Sequence, residues 1–215
     1  MLKAIIFDMD GVLIDSMPCH AEAWKRVLAE KGVNITRQDI YNIEGSNHEG
    51  VIRLMFGKAG KVVDINELDE LAQKKRELFR RKNQSKPFES ITECLDLLKK
   101  KYRLGVVSGS DRAEVLDLLD RFFPGVFEIV VAGEDVREGK PSPEPYLKAV
   151  KMLGIEKEEC IVIENAPMGV ESAKRAGLYC IAMPIYVLPE KLEMADIVLE
   201  NHPALIDYLK NHVLI

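Results

Sequence analysis

The chain has no cysteine pair spaced for a redox or metal site. Its four cysteines, Cys19, Cys94, Cys160 and Cys180, are scattered with no CxxC. That pattern fits reduced thiols in the cytosol better than a disulfide framework. Cys19, close to the acidic stretch described below, reads as a small helix residue. No uninterrupted apolar stretch approaches a membrane span, and the first residues lead into a strand without a signal-peptide pattern. A cytoplasmic protein with no membrane partner is therefore expected. Positive charge is not in excess. The formal net charge is -5, so a nucleic-acid partner is not expected, while a local basic pocket for a phosphorylated ligand stays open. Internal repeats, linkers and low-complexity tracts are also missing.

What is present is a soluble globular balance of 30% charged and 47% apolar residues over 215 positions. This length suits one domain with a substantial insertion, or two small domains. The stretch Ala4-Ile5-Ile6-Phe7-Asp8-Met9-Asp10-Gly11 stands out. Its apolar run is too short for a helix and has no alternating polar face, so it reads as a strand buried on both sides. It ends in two acids and a glycine, at the carboxyl edge where open α/β sheets bind ligands.

Residues 16–86 read almost entirely as helix. Ala21, Trp24, Val27 and Leu28 share a face, with Gly32 as a stop. Thr36 is placed to cap a short helix. Val51, Leu54 and Met55 recur at helical spacing up to Gly57. Residues 66–83 form a long charged helix with Leu68, Leu71, Leu78 and Phe79 on its apolar side. From Pro87 onward strands and helices alternate. Strands are expected at Arg103–Ser108, Phe127–Ala132, Cys160–Glu164 and Tyr179–Met183. This alternation implies parallel β-α-β units with right-handed crossovers. The expected fold is α/β: a doubly wound, five-stranded, Rossmann-like core (1–15 and 87–215) carrying an inserted all-helical cap (16–86).

In a parallel sheet all carboxyl ends share one edge. Asp8 and Asp10, Ser108, the loop with Lys140, and Glu164 with Asn165 are thereby brought together. Singly, each has an ordinary explanation as a helix cap, a turn residue or a solvated charge. Together they suit phosphoryl transfer. Carboxylates and an amide oxygen are hard donors for an octahedral Mg²⁺. One carboxylate can act as nucleophile, the other as general acid and then base. The Ser108 hydroxyl, the Gly109 amide and the Lys140 ammonium would hold transition-state oxygens.

These residues resemble the haloacid dehalogenase superfamily. Four motifs occur in order: Asp8-Met9-Asp10-Gly11-Val12-Leu13-Ile14-Asp15-Ser16, Val107-Ser108-Gly109-Ser110, Lys140-Pro141-Ser142-Pro143, and Ile163-Glu164-Asn165-Ala166-Pro167-Met168-Gly169-Val170. The resemblance implies Asp8 as nucleophile and Asp10 as acid/base. It implies Mg²⁺ held by Asp8, Asp10 (through its carbonyl), Glu164 and Asn165. An acid at position 10 points to the phosphotransferases of the superfamily rather than its dehalogenases. Many relatives look like Glu-Asp where this chain has Glu164-Asn165. Asn brings an oxygen without charge, so Asn165→Asp is expected to tighten Mg²⁺ binding.

Within the superfamily the chain is similar to the group of β-phosphoglucomutase and small sugar-phosphate phosphatases. His20 and Trp24 keep the spacing of the mutases. Against that, the mutase cap loop Lys-Gly-x-Ser-Arg is replaced by Glu44-Gly45-Ser46-Asn47-His48. A basic residue after the second motif is replaced by Asp111, followed by Arg112. Fewer cations weaken a distal phosphate site, and the run Lys74-Lys75-Arg76 reads as a solvated helix face. The expectation is a Mg²⁺-dependent phosphatase acting on a small phosphorylated metabolite, with the mutase as alternative. Ser16, His20, Gly45, Asn47, His48, Gly109, Ser110 and Arg112 are expected around the substrate, and Glu44 near its sugar. The protein is expected as a monomer or small homo-oligomer. A binding module on the same fold is disfavoured by the presence of Asp8, Asp10 and Lys140.

Overall fold

The first strand, β1 (Ala4–Phe7), is fully buried and splits its side chains between two cores. Ile5 and Phe7 enter one apolar cluster, Ala4 and Ile6 the other. This is the period of two in a strand covered on both faces, and it explains the unbroken apolar run. The computed structural model describes residues 1–214. β1 lies between β2 (Arg103–Val107) and β4 (Cys160–Glu164), and β3 (Ile129–Val131), β5 (Tyr179–Ala182) and β6 (Ile197–Val198) complete the sheet. The order is β3-β2-β1-β4-β5-β6, with every pairing parallel. The sheet therefore has six strands, not the expected five. β6 has two residues, too few for any periodicity, and forms by pairing with Ile181 and Ala182 of β5.

Helices cover both faces. α5 (Ile91–Leu98), α6 (Arg112–Phe122) and α9 (His202–Tyr208) pack with Ile5 and Phe7, whereas α7 (Glu144–Leu153) and α8 (Pro167–Arg175) pack with Ala4 and Ile6. α7 stops where Gly154 takes a left-handed conformation, φ 60°, the expected use of glycine at a helix end. Among the described residues, no helix is long and apolar enough to cross a membrane.

Between β1 and α5 come α1 (Met17–Ala29), α2 (Arg37–Tyr41), α3 (His48–Lys58) and α4 (Ile65–Lys82). They bury Met17, Trp24, Leu28, Ile52, Phe56 and Leu71 in a third, separate cluster. The two chain crossings between this helical cap and the sheet lie side by side. Asp15 N–H donates to Lys86 O at 2.9 Å and Phe88 N–H to Leu13 O at 3.1 Å. Two expectations about α3 fail: Leu54 is 44% exposed, and the helix continues past Gly57 to Lys58. One glycine in an exposed turn is too weak a breaker to overrule the remaining hydrogen bonds.

Thr36 caps α2 as expected, in a reciprocal box with Asp39. The Asp39 carboxylate also accepts from Lys58. That bond and the Thr36 N–H and hydroxyl contacts bring its carboxyl down to about 2. A carboxyl lowered on folding adds stability above its unfolded value near 3.9 and loses it as pH falls through the folded one. Asp39→Asn is therefore expected to cost about 1 kcal/mol at pH 7. The gap to wild type should close as urea melts are taken below about pH 3.

Candidate active site

Parallel register builds the site. Phe7 pairs with Val106 on one side and Ile163 on the other. The next residues, Asp8, Val107 and Glu164, thus emerge level at the carboxyl edge, and Asp8 N–H is tied to Ile163 O at 2.9 Å. Lys140 arrives on the loop before α7 and is 3% exposed. Its Nζ donates to Asp8 Oδ1 at 2.5 Å and Glu164 Oε1 at 2.6 Å. Burial works against the ammonium, but Asp8 and Glu164 outweigh it and raise its proton affinity above the ordinary lysine value. Burial also pushes the Asp8 carboxyl up. Lys140 pulls against that shift, and Glu164 and Asp10 add to it.

Asp10 is held in a different environment. Its Oδ1 accepts from the Ser16 hydroxyl and lies 3.2 Å from His20 Nε2. Its Oδ2 accepts from Ser108 Oγ at 3.2 Å and Ser110 Oγ at 3.1 Å. Burial opposes ionisation here too, but His20 and Ser16 overcome it and keep the carboxyl well below its usual range. Two acids two residues apart are therefore driven in opposite directions by their surroundings, Asp8 by burial and Asp10 by the donors around it.

Glu164 differs from its expected place as a metal ligand. Its Oε1 is taken by Lys140 and by the Tyr146 hydroxyl at 2.6 Å. Its Oε2 accepts the N–H groups of Asn165 and Ala166 at 2.9 and 3.3 Å. It serves as the buried counter-ion of Lys140. The Asp10 side chain is likewise fully engaged, leaving its backbone carbonyl as the atom for a metal. Among the described residues, no three His, Cys, Asp or Glu side chains form a ready metal cluster. The donor set still fits a hard cation. Asp8 Oδ2, Asn165 Oδ1 and Glu44 Oε2 are all buried without a hydrogen-bond partner. Unpaired buried oxygens amid several carboxylates are costly unless a cation satisfies them.

The cap closes over this edge. Gly45 and Ser46 lie directly on Gly109: a Cβ at Gly109 would stand 2.4 Å from Gly45 O. The pocket beneath it is lined by Asp8, Asp10, His20, Trp24, His48 and Lys75, among others, and has a volume of about 40 Å³. That volume holds a few waters, so a sugar phosphate requires the cap to lift. Gly109→Ala is expected to prop the cap open with the fold intact. The radius of gyration should rise and kcat/KM fall by about 10²-fold, the cost of misplacing a site by an ångström.

Several expected substrate residues stand elsewhere. Arg112 is bound to Asp135 at 2.6 Å, outside the pocket, because as the first residue of α6 it faces the acidic turn at Gly133–Asp135. Asn47 caps α3, accepting from Gly50 N–H at 2.9 Å. Glu44 lies against Asn165 at 2.9 Å rather than in open sugar space. Ser16, His20, Ser108 and Ser110 gather on Asp10, while Gly45, His48 and Gly109 line or close the pocket. Lys75 is the residue that the sequence reading misplaced. It is 1% exposed, 3.3 Å from His48 Nε2 and 3.5 Å from Glu114 Oε2, with its ammonium 4.8 Å from the Phe79 ring centroid. The signal was available: Leu68, Leu71, Ala72, Lys75 and Phe79 fall on one helical stripe, so Lys75 continues the buried face. Its neighbour Arg76 pairs with Asp111 at 3.1 Å.

Fold and site together define an α/β enzyme with an acid-rich centre on the sheet edge and a helical lid. The chain belongs to the haloacid dehalogenase-like hydrolase family, whose model matches residues 5–183. It is similar to the phosphorylated carbohydrates phosphatase of Thermotoga maritima, 33% identical over 180 residues and 82% of each chain. It is also similar to the phosphoglycolate phosphatase of Aquifex aeolicus, 29% identical over 99% of each. Among solved structures, a Bacteroides vulgatus protein provisionally named β-phosphoglucomutase superposes with a TM-score of 0.91. It is 34% identical, over 97% of this chain and 88% of that one.

Proposed function

We propose that the protein is a Mg²⁺-dependent phosphatase of small phosphorylated sugars or related metabolites, working through an aspartyl phosphate on Asp8. The observation that carries this reading is the opposed pair at the sheet edge. Asp8 keeps a buried, unpartnered oxygen beside Lys140, and Asp10 is set among hydroxyls and an imidazole. An Asp8 oxygen attacks phosphorus, and the departing oxygen takes a proton from Asp10. The Asp10 carboxylate then takes a proton from water as its oxygen attacks the same phosphorus, which frees phosphate and restores Asp8. Asp10 rests in the form needed for the second step. An arriving phosphoryl dianion raises its proton affinity for the first, as like charges do. Lys140 and the Gly109 amide steady the equatorial oxygens. Asp8 Oδ2, the Asp10 carbonyl and Asn165 Oδ1 would hold Mg²⁺, which would supply charge neutralisation. Residues 1–15 and 87–215 serve as the catalytic core and 16–86 as the cap, hinged where Ile14 meets Pro87.

The charge of the pocket supports a phosphatase over a mutase. Lys75 reaches it, but Arg76 and Arg112 are spent on Asp111 and Asp135, leaving little to hold a second phosphate. The names of the relatives point the same way for the phosphatase. The mutase reading draws support from His20 beside Asp10 and from the likeness to the Bacteroides vulgatus structure. The test is a Mg²⁺-dependent screen from two-carbon phosphates to hexose phosphates, with wild type and Asp8→Asn. Phosphate release lost in the variant supports the phosphatase. Conversion of β-glucose 1-phosphate to glucose 6-phosphate, primed by a bisphosphate and without net release, would replace it with the mutase.

A further inference from the structure

Glu44 belongs to the cap, in the loop between α2 and α3, yet its carboxylate reaches the catalytic edge of the core. It is 5% exposed. Its Oε1 accepts from Asn165 Nδ2 at 2.9 Å, and its Oε2 is buried without a partner among the described residues. The turn at Gly11 is shaped around this contact. A Cβ there would fall 2.1 Å from Asn165 Nδ2 and 2.8 Å from Glu44 Oε1. The backbone at Gly11 is also left-handed, with φ 83°, so glycine serves both needs.

Asp8 Oδ2 and Asn165 Oδ1 share the condition of Glu44 Oε2: buried, oxygen, no donor. The two oxygens of Glu164 are not available, being taken by Lys140, Tyr146 and two backbone N–H groups. The core alone thus offers one free carboxylate oxygen and two neutral oxygens, the Asn165 amide and the Asp10 backbone carbonyl. The cap brings the second carboxylate. With the Asp10 carbonyl, the oxygens of Asp8 just after β1, Asn165 just after β4 and Glu44 on the cap loop would make a cation site that is incomplete until the cap is down.

We propose that Glu44 is a ligand of the active-site divalent cation, contributed by the cap, so that cation binding and cap closure are coupled. The inference rests on the Mg²⁺ reading of the site given above. Asn165 supplies an oxygen without charge, and Glu44 supplies the charge. A cation that gains a ligand only in the closed state favours that state, and closure tightens the cation by the same factor. The same loop carries Gly45 and Ser46 onto Gly109, so its descent seals the pocket and completes the metal site in one movement.

The test is calorimetric binding of Mg²⁺ without substrate, paired with small-angle scattering with and without Mg²⁺. It compares wild type, Glu44→Gln and the double variant Glu44→Gln with Asn165→Asp. Gln keeps an acceptor for Asn165, so the single variant removes charge and little else. Wild type should bind Mg²⁺ and become more compact. Glu44→Gln should lose affinity by about tenfold or more, since even outer-shell partners cost that much, and should not compact. The double variant should regain affinity but not compaction, because its carboxylate now sits on the core. Equal affinity in wild type and Glu44→Gln, or wild-type binding with no change of shape, overturns the proposal and leaves the phosphatase reading standing. Failure of wild type to bind Mg²⁺ at all overturns both.

Discussion

Replacing Asp8 by Asn is expected to cut phosphate release by about 10⁴-fold, or about 5.4 kcal/mol of transition-state stabilisation. Asn has nearly the same shape and still offers Lys140 an oxygen in place of Oδ1, which lies at 2.5 Å. What it loses is the anionic oxygen that, in the proposed mechanism, attacks phosphorus. Lys140 also retains Glu164 at 2.6 Å, so the site does not collapse. Burial already works against the Asp8 charge, and a neutral residue there removes that burden. The variant should therefore melt no lower than wild type, the trade between stability and activity expected at an active site. Single-turnover phosphate release and a thermal melt on the same sample give both readings. Activity within tenfold of wild type would show that water attacks the phosphoryl group directly, with Asp8 a bystander.

The same residues show how far the sequence can be read. The catalytic edge was legible because strand ends in a parallel sheet must align. Once Ala4–Phe7 and Cys160–Glu164 are recognised as strands, Asp8 and Glu164 have to meet, and the register places Phe7 beside Ile163. The helical insertion was legible from its repeating apolar face. Partner choice within the site was not. Glu164 looks like a metal ligand by position, but its oxygens are claimed by Tyr146 and by the backbone after it. No spacing rule reveals that Tyr146, on the far side of a crossover, points its hydroxyl there. Lys75 shows the opposite failure. Its charge suggested water, while its place on the stripe of Leu68, Leu71 and Phe79 put it inside. There its ammonium sits over the rings of Phe79 and Trp24 and finds His48 and Glu114. β6 escaped because two residues carry no pattern, and its pairing is decided by the neighbouring strand.

Lys140 is where the largest loss of stability is expected. Its ammonium is shared by two buried carboxylates, Asp8 and Glu164, and lies 3.3 Å from Val107 O. Lys140→Met fills the volume but removes the charge. Breaking a buried ion pair from one side leaves the other side uncompensated, at a cost of about 3–5 kcal/mol. For a chain of this size that lowers the melting temperature by about 6–20 °C. Activity should fall as well, by about 10²–10³-fold, because in the proposed mechanism the same ammonium steadies the oxygens of the transferring group. The two losses have separable causes. Adding Glu164→Gln to Lys140→Met removes one stranded carboxylate while leaving Asp8 in place. If charge balance sets the stability, the double variant should melt above the single one, a coupling of the kind seen only between residues in contact. Its activity should stay low, since the cation that serves the phosphoryl group is still missing. A double variant that melts at or below Lys140→Met would mean that Glu164 is held by Tyr146 and the Asn165 and Ala166 N–H groups strongly enough to bear its charge alone. Lys140 would then be retained for catalysis rather than for the fold.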